Sequence, residues 1–502
     1  MAMHYFILFT VPLVTGVILT SLMIRFGYCT KFVDLPDCRK FQSKALPRLG
    51  GVAIYLSVVV VLLNIGWIDP RYAITVDSQM QPVLIGASLM FFLGLWDDRK
   101  SIRARTKLLC QLIAAGYVCS AGVCLERLPF ISLPEPIEEI LCPLISVLWI
   151  IGLTNAVNLC DGLDGLAGGI AAIASGGLAV IAAQAGMTEW AWMLVILCGA
   201  IVGFLVFNFS PARIYLGDSG SLLLGFVLAC VSLRVAGKGA SETVYAPILI
   251  LIIPILDTFC VMLRRFIEGR SIFSPDRSHF HHRLLAAGFS VKQAAVGVYM
   301  ITLLMSGLAL LGQSGDILYA NGIFLLGLGC ILYFLNKVHS FQVRETLHGL
   351  VHQIRLFFQI RKEISNLDML ELHFRQAQTL DQWWKAACFA AQSMGFSSMS
   401  LRVYKAWPET QILQWANTLT DKKSQGNISL TFPVLDLQGN VQHELTVKIL
   451  PQDNFECYGR SITMFSRLID RYGRISNVSL ENLMIRELIQ SKGMARNVEV
   501  AV

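Results

Sequence analysis

Apolar residues fall in long runs along this chain, and short clusters of charge separate the runs. A bilayer crossing takes about 20 mostly apolar residues in a helix. By that measure the pattern predicts eleven spans, at 4–26, 49–68, 82–96, 107–124, 140–156, 167–185, 188–207, 219–236, 244–266, 294–312 and 317–336, the third and fifth being short. The first run has neither a basic leader nor a small-residue cleavage site, so it reads as an uncleaved helix. The fold class expected for this part is an all-α polytopic membrane protein.

After about Lys337 the pattern changes. Residues 341–360 form a basic amphipathic stretch with Leu347, Leu350, Val351, Ile354, Phe357 and Phe358 near one face. It suits the inner membrane surface and packing on the following domain equally well. Next come a helix containing Trp383 and Trp384, strand-like runs near 398–405, 411–418, 428–434 and 442–450, and a helix from about 455 to 485. That order predicts a small α+β domain, loosely similar to GAF-type sensor folds, with no recognisable site. The expected organisation is a transmembrane domain over 1–337, a helical linker over 338–380 and a C-terminal domain over 381–502.

Composition agrees with the pattern. Of 502 residues, 55% are hydrophobic and only 15% charged, against about 25% charged in soluble domains. The 13 cysteines lack paired spacing and sit mostly in apolar runs, so neither a disulfide framework nor a zinc site is expected. Charge then orients the chain. With the N-terminus outside, the odd loops are cytoplasmic, and they carry Lys31, Arg39, Lys40, Lys44 and Arg48, then Arg99, Lys100, Arg103, Arg105 and Lys107, then Arg264, Arg265, Arg270, Arg277, Arg283 and Lys292. The even loops are poor in Lys and Arg and partly acidic, which satisfies the positive-inside rule. The C-terminal domain is then cytoplasmic.

Four polar clusters interrupt the apolar part, all in odd loops: Asp97-Asp98, the Asn155–Gly165 string, Tyr215–Ser221 and Ser274–Arg283. Taken singly, an Asp pair is a solvated helix end and Gly217-Asp218-Ser219-Gly220 a turn string. The second cluster resists that reading. Asn155, Asn158, Asp161 and Asp164 recur every three residues, along one face of a helical turn. A carboxylate at membrane depth costs about 2.5–3.5 kcal/mol, so such a group calls for a cation, a ligand or a wet cleft. Asp257 repeats the point two turns before Arg264, and both can line a cleft opening to the cytoplasm. Many carboxylates without a cysteine ligand favour Mg²⁺ or Mn²⁺ bridging to substrate phosphates. The His and Arg run supplies donors to phosphate oxygens. Such a site suits phosphoryl transfer.

Five strings then match a known family in order: Pro36–Lys40 through Pro47-Arg48-Leu49-Gly50-Gly51, Asp97-Asp98, Asn158–Ala167, Pro211–Ser221 and Asp276–Leu284. Over roughly 1–335 the chain resembles the bacterial polyprenyl-phosphate N-acetylhexosamine-1-phosphate transferases, related to the phospho-N-acetylmuramoyl-pentapeptide transferase of peptidoglycan synthesis. The resemblance implies eleven helices, Mg²⁺ dependence (Mn²⁺ as a substitute) and chemistry at the cytoplasmic face of the inner membrane. It implies Asp218 as a metal ligand, with Asp97 and Asp98 assisting the metal and orienting the lipid phosphate. Asp161 and Asp164 join these as catalytic carboxylates and, with Asn155 and Asn158, shape the nucleotide and pyrophosphate pocket. Lys40 and Lys107 are expected phosphate contacts. His279, His281, His282 and Arg283 are expected on the diphosphate and sugar side, and Asp257, Arg264, Asp276 and Arg277 are expected among the substrate-binding residues.

The implied substrates are a UDP-N-acetylhexosamine and undecaprenyl phosphate, within membrane lipid. N-acetylglucosamine 1-phosphate is the favoured group, with N-acetylfucosamine, N-acetylquinovosamine and N-acetylgalactosamine as alternatives, and the product primes O-antigen, common-antigen or other surface polysaccharide. No nucleic-acid partner is expected; a homodimer and a cytoplasmic partner for the tail are compatible. One departure stands out: family members usually carry a histidine shortly after the Arg-Lys pair, where this chain has Phe41-Gln42. Outside the family, an ion-coupled transporter would need acids near the midplane and a repeat between halves, and a lipid-binding sensor would not need intact carboxylate motifs.

Overall fold

The structure, a computed structural model, describes residues 2–34, 45–68, 78–128, 133–236, 245–268, 279–313, 317–337, 349, 351, 354–355, 367–377, 379–403, 411–416, 428–435, 441–449 and 455–472. The chain forms two compact units, Met1–Leu350 and Val351–Val502.

The first unit contains α1 (Ala2–Cys29), a two-residue hairpin of β1 (Val33–Asp34) and β2 (Leu46–Pro47), α2 (Gly50–Ile68), α3 (Met80–Arg99), α4 (Ala104–Ser120), α5 (Glu135–Cys160), α6 (Leu166–Gln184), α7 (Thr188–Asn208), α8 (Gly217–Ala236), α9 (Tyr245–Ile250), α10 (Ile252–Ile267), α11 (Phe280–Ala286), α12 (Val291–Gly312) and α13 (Ile317–Lys337). Eight of these, α1, α3, α5, α6, α7, α8, α12 and α13, are long and apolar enough to cross a membrane. Large apolar side chains such as Phe6, Ile113, Met300, Leu303, Leu318 and Leu325 lie exposed on α1, α4, α12 and α13. Exposed apolar helix faces of this kind suit lipid rather than water.

Three expected spans differ in detail. The third and fifth runs, short in the pattern, are helices of 20 and 26 residues. The helix α3 continues through Asp97-Asp98, and α5 begins early, with Glu135 and Glu138 in its first turn and a proline beside them. Acids and proline both favour a helix N-terminus. The ninth run breaks at Leu251 into α9 and α10. Pro254 explains the break, because its ring opposes the carbonyl four residues back and it offers no N–H.

The core is built around α8, which is buried along its whole length and packed by α2, α3, α5 and α6. Glycines permit the closest approaches. A Cβ on Gly51 of α2 would overlap the Gly220 backbone, and one on Gly94 of α3 would overlap the Asp218 backbone. Both contacts fall at the start of α8, so they decide what can meet there.

The second unit holds α14 (367–376), α15 (Leu380–Ser393), strands β3 (Ser398–Val403), β4 (Gln411–Ala416), β5 (Ile428–Leu435) and β6 (Val441–Ile449), and α16 (Phe455–Tyr472). The sheet is antiparallel in the order β4-β3-β6-β5. Trp383, Phe396, Met399, Leu401, Leu445 and Phe465 form its core. A capping box between Thr379 and Gln382 starts α15. The amphipathic stretch expected at 341–360 lies largely outside the described residues.

Gly51→Ala should destabilise the protein by about 1–3 kcal/mol, the usual cost of overpacking. Gly176→Ala is the control, since a Cβ there meets nothing within 4 Å; it should leave stability unchanged or raise it slightly. Thermal melting in detergent micelles measures both, and equal melting of Gly51→Ala and wild type would refute the close packing of α2 on α8.

Candidate active site

At the C-terminal end of α3, Asp98 reaches the N-terminus of α8. Its Oδ1 accepts the Asp218 N–H at 2.8 Å and its Oδ2 the Ser219 N–H at 3.0 Å. The first N–H groups of a helix lack intrahelical partners, and a carboxylate there also meets the positive end of the helix dipole. Gly217 makes room for this carboxylate. It sits at φ +73°, and a Cβ would lie 2.6 Å from Asp98 Oδ2.

Asp97 and Asp218 share one cation. Lys107, in the first turn of α4, donates to Asp218 Oδ2 at 2.7 Å and pairs with Asp97 Oδ2. The other oxygen of Asp97 accepts the Ile102 N–H at 2.6 Å, which folds the α3–α4 loop around it. The other oxygen of Asp218 accepts from Asn158 Nδ2 at 3.2 Å; that same amide donates to Ser221 Oγ at 2.8 Å, whose hydroxyl in turn donates to Gly217 O at 3.1 Å. One turn past Lys107, the buried Gln111 exchanges amide hydrogen bonds with Asn155 at 2.8 and 3.3 Å. The helical faces Lys107/Gln111 and Asn155/Asn158 thus bring α4 and α5 together over the start of α8.

The loop after α5 continues the site. Asp161 keeps part of its surface open. Burial pushes its carboxyl up to about 8, helped by the negative charges of Asp218 and Asp98 and opposed by Arg48. Asp164 serves the backbone instead: its Oδ2 accepts the Ala212 N–H at 3.0 Å. Nearby, Asn208 accepts from Gly165 N and donates to Ile214 O. These bonds hold the 209–216 segment that leads into α8. The Pro47–Gly51 string holds it from the other direction, through Tyr215 N to Pro47 O at 2.8 Å, Gly50 N to Tyr215 O at 2.9 Å and Gly51 N to Leu216 O at 2.8 Å.

A second group lies at α10 and α11. Asp257, 2% exposed, accepts the Phe280 N–H at 2.7 Å and lies 3.0 Å from His279 Nδ1. It therefore fixes the start of α11. His279 and His281 stack with ring centroids 5.7 Å apart, and His282 tilts against His281 at 4.4 Å. Burial lowers His281 to about 4, so its ring is neutral at pH 7. Its Nε2 rests against Gly162, where a Cβ would overlap it, and its buried Nδ1 has no hydrogen-bond partner among the described residues. His281 thus joins the histidine group to the Asp161 loop.

The sequence-derived residues sort accordingly. Asp97, Asp98, Lys107, Asn158 and Asp218 converge directly, with Asp161 within electrostatic reach. Asn155 is engaged by Gln111, Asp164 by backbone, and Asp257 by His279 and Phe280. Arg264, His282 and Arg283 are half-buried on α10 and α11. Lys40, Asp276 and Arg277 lie outside the described residues. Ser221 lies inside the Tyr215–Ser221 cluster, whereas Gln111, Asn208 and the charge of Arg48 are site features that the sequence pattern does not single out. A lone amide one turn past Lys107 in an apolar helix, and an arginine inside the Pro47–Gly51 string, were the available signals. Among the described residues no three His, Cys, Asp or Glu side chains form a ready metal cage. Asp97 and Asp218 nonetheless meet on one positive charge through oxygen donors alone, which suits a hard divalent ion that keeps most of its waters.

The fold and this site define a polytopic membrane protein with a carboxylate–lysine cluster at the start of α8. Residues 80–236 match the sequence model of a family described as Glycosyl transferase family 4. The chain is 36% identical over 314 residues to the probable undecaprenyl-phosphate N-acetylglucosaminyl 1-phosphate transferase of Bacillus subtilis (strain 168), covering 62% of this chain and 85% of that protein. It is 33% identical over 328 residues to the decaprenyl-phosphate N-acetylglucosaminephosphotransferase of Mycolicibacterium smegmatis, covering 60% and 78%. With the undecaprenyl-phosphate alpha-N-acetylglucosaminyl 1-phosphate transferase of Yersinia pestis it shares 29% identity over 294 residues, covering 57% and 77%. The chain belongs to glycosyl transferase family 4 and is a membrane-bound glycosyl phosphotransferase.

The raised pKa of Asp161 has a pH consequence. An isolated Asp titrates near 3.9, and the folded carboxyl holds its proton to about 8. The folded state therefore binds more protons in between, and the contribution of Asp161 to stability is fully present below pH ~4 and lost as pH rises through about 8. In ligand-free, metal-free protein, Asp161→Asn should melt like wild type near pH 4 and above it at pH 8–9. The gain is moderated by the part of the side chain open to water. Melting curves that stay parallel across that range would refute the assignment.

Proposed function

We propose that the chain transfers N-acetylglucosamine 1-phosphate from UDP-N-acetylglucosamine to undecaprenyl phosphate, releasing UMP and priming a cell-surface polysaccharide. The observation that carries the reading is the convergence of Asp97, Asp218 and Lys107 at the α8 N-terminus that Asp98 caps. The names of the relatives support the lipid acceptor and the sugar. In the reaction an oxygen of the lipid phosphate bonds to the sugar-bearing phosphorus of the donor. The bond from that phosphorus to the bridging oxygen breaks, and UMP departs with the electron pair. Little covalent work falls to the protein; positioning and charge neutralisation supply most of the catalysis.

Asp97 and Asp218 would hold Mg²⁺, which when bound neutralises charge on the donor pyrophosphate. Asp98 is a positioning residue: by fixing the α8 N-terminus it fixes Asp218. Lys107 offsets two carboxylates, so that anionic substrates meet less repulsion. Asn158 orients Asp218 through its amide. The neutral His281 and its neighbours present polar ring atoms beside the Asp161 loop, suited to sugar and phosphate oxygens.

The proposed arrangement in the membrane is eleven crossings with the N-terminus out, α9 and α10 together making the ninth. Chemistry then lies on the cytoplasmic face of a bacterial inner membrane, with the GAF-like α+β unit on that side. The basic odd loops support this orientation.

Purified full-length protein given undecaprenyl phosphate, UDP-N-acetylglucosamine and Mg²⁺ should release UMP, and excess chelator should abolish it. Asp218→Asn should lower turnover at least about 100-fold, the scale of losing one preorganised electrostatic group. Undiminished UMP release in chelator would sink the metal-assisted reading, and preference for another UDP-N-acetyl sugar in a panel would replace the sugar. For topology, a reporter fused after Val502 should score cytoplasmic and one inserted near Asp77 external. Both on one side would refute eleven crossings.

A further inference from the structure

We propose that Arg48 binds the donor's pyrophosphate, its guanidinium leaving Asp34 for the phosphate oxygens when the nucleotide sugar enters. The inference rests on the donor chemistry proposed above. Arg48 follows β2, whose pairing places Val33 opposite Pro47 and Asp34 opposite Leu46. Its backbone is bracketed by Tyr215 N to Pro47 O at 2.8 Å and Gly50 N to Tyr215 O at 2.9 Å. The arginine is thereby tied to the segment that reaches Asp218 three residues later.

The side chain rests on Asp34, with Nη2 3.3 Å from Oδ2. The arginine side chain is 39% exposed and the aspartate 13%. A pair this open is weakly held, so the guanidinium can exchange partners at small cost. Its field already reaches the site: the charge of Arg48 acts on Asp161 against those of Asp218, Asp98 and Asp164, and acts on Tyr215 as well. Lys107 is committed to Asp97 and Asp218. A pyrophosphate arriving among these carboxylates brings further negative charge, and Arg48 is a partly exposed cation whose charge already acts on Asp161. The guanidinium fork matches phosphate oxygens in a way an ammonium does not. Asp34 then acts as the counter-ion that holds Arg48 in place between turnovers.

The test uses full-length protein in nanodiscs. Steady-state kinetics are measured against UDP-N-acetylglucosamine and undecaprenyl phosphate separately, and UDP binding is measured by calorimetry. Arg48→Gln should raise the donor KM and the UDP Kd at least tenfold, with kcat and the acceptor KM changing less than threefold. Arg48→Lys should recover only part of the affinity, and Asp34→Asn should tighten UDP binding about two- to fivefold. If Arg48→Gln fails to fold because Asp34 has lost this counter-charge, the double variant Asp34→Asn/Arg48→Gln removes both charges and carries the same expectation. A folded variant lacking Arg48 whose UDP Kd stays within twofold of wild type would overturn the proposal, as would a loss confined to the acceptor KM. Wild-type protein that neither binds UDP nor releases UMP would instead overturn the function on which the proposal rests.

Discussion

The bond pair from Asp98 to the first amides of α8 is the constraint on which the site depends. The carboxylate belongs to α3, the amides to the most buried helix of the bundle, and Gly217 supplies both the backbone angle and the space. Because Asp98 fixes the Asp218 amide, it fixes where the Asp218 carboxylate starts. Lys107 and Asn158 then hold that carboxylate from α4 and α5. Four helices therefore converge on a few atoms, and a shift of any one displaces the others.

That convergence explains where the glycines fall. The motif glycines Gly50 and Gly51 let α2 lie against the 215–220 backbone. Gly94 does the same for α3. Gly162 accommodates the His281 ring, which brings the histidine group to the Asp161 loop. Small residues of this kind serve close packing in membrane helices generally, and here the packing positions charge.

Much of this was legible in the sequence, because apolar runs and charge asymmetry are direct consequences of lipid as a solvent. The carboxylates stood out for the same reason: an acid in an apolar run demands a partner. What the linear pattern could not show was which partner. The spacing of Asn155, Asn158, Asp161 and Asp164 suggested one face, yet α5 ends at Cys160, so the two amides belong to a helix and the two acids to a loop. Asp164 consequently turns to the Ala212 amide and Asp161 to the open site. The break at Leu251 was marked by Pro254, but its outcome depends on packing that hydropathy does not encode. In the tail, period-two alternation sufficed for the strands, whereas their order β4-β3-β6-β5 comes from pairings distant in sequence.

The site also has two sides of different chemistry. Around Asp218 the protein presents fixed carboxylates balanced by one lysine, a set that gains from a divalent ion. Around Asp257 a buried carboxylate is spent on orienting His279 and the α11 amide, and burial keeps His281 neutral. The histidine side therefore offers directed polar atoms without a matching array of negative charge. In the proposed reaction an incoming diphosphate would meet carboxylates that can take a metal on one side and, on the other, the polar atoms of the histidine group with Arg264 and Arg283 on the same two helices. Fixed polar atoms would hold an oxygen in place throughout that proposed transfer, while the carboxylate–lysine side would respond as negative charge moved from the acceptor phosphate to the leaving UMP. The second kind of interaction bears on rate, since only interactions that strengthen along a reaction lower its barrier.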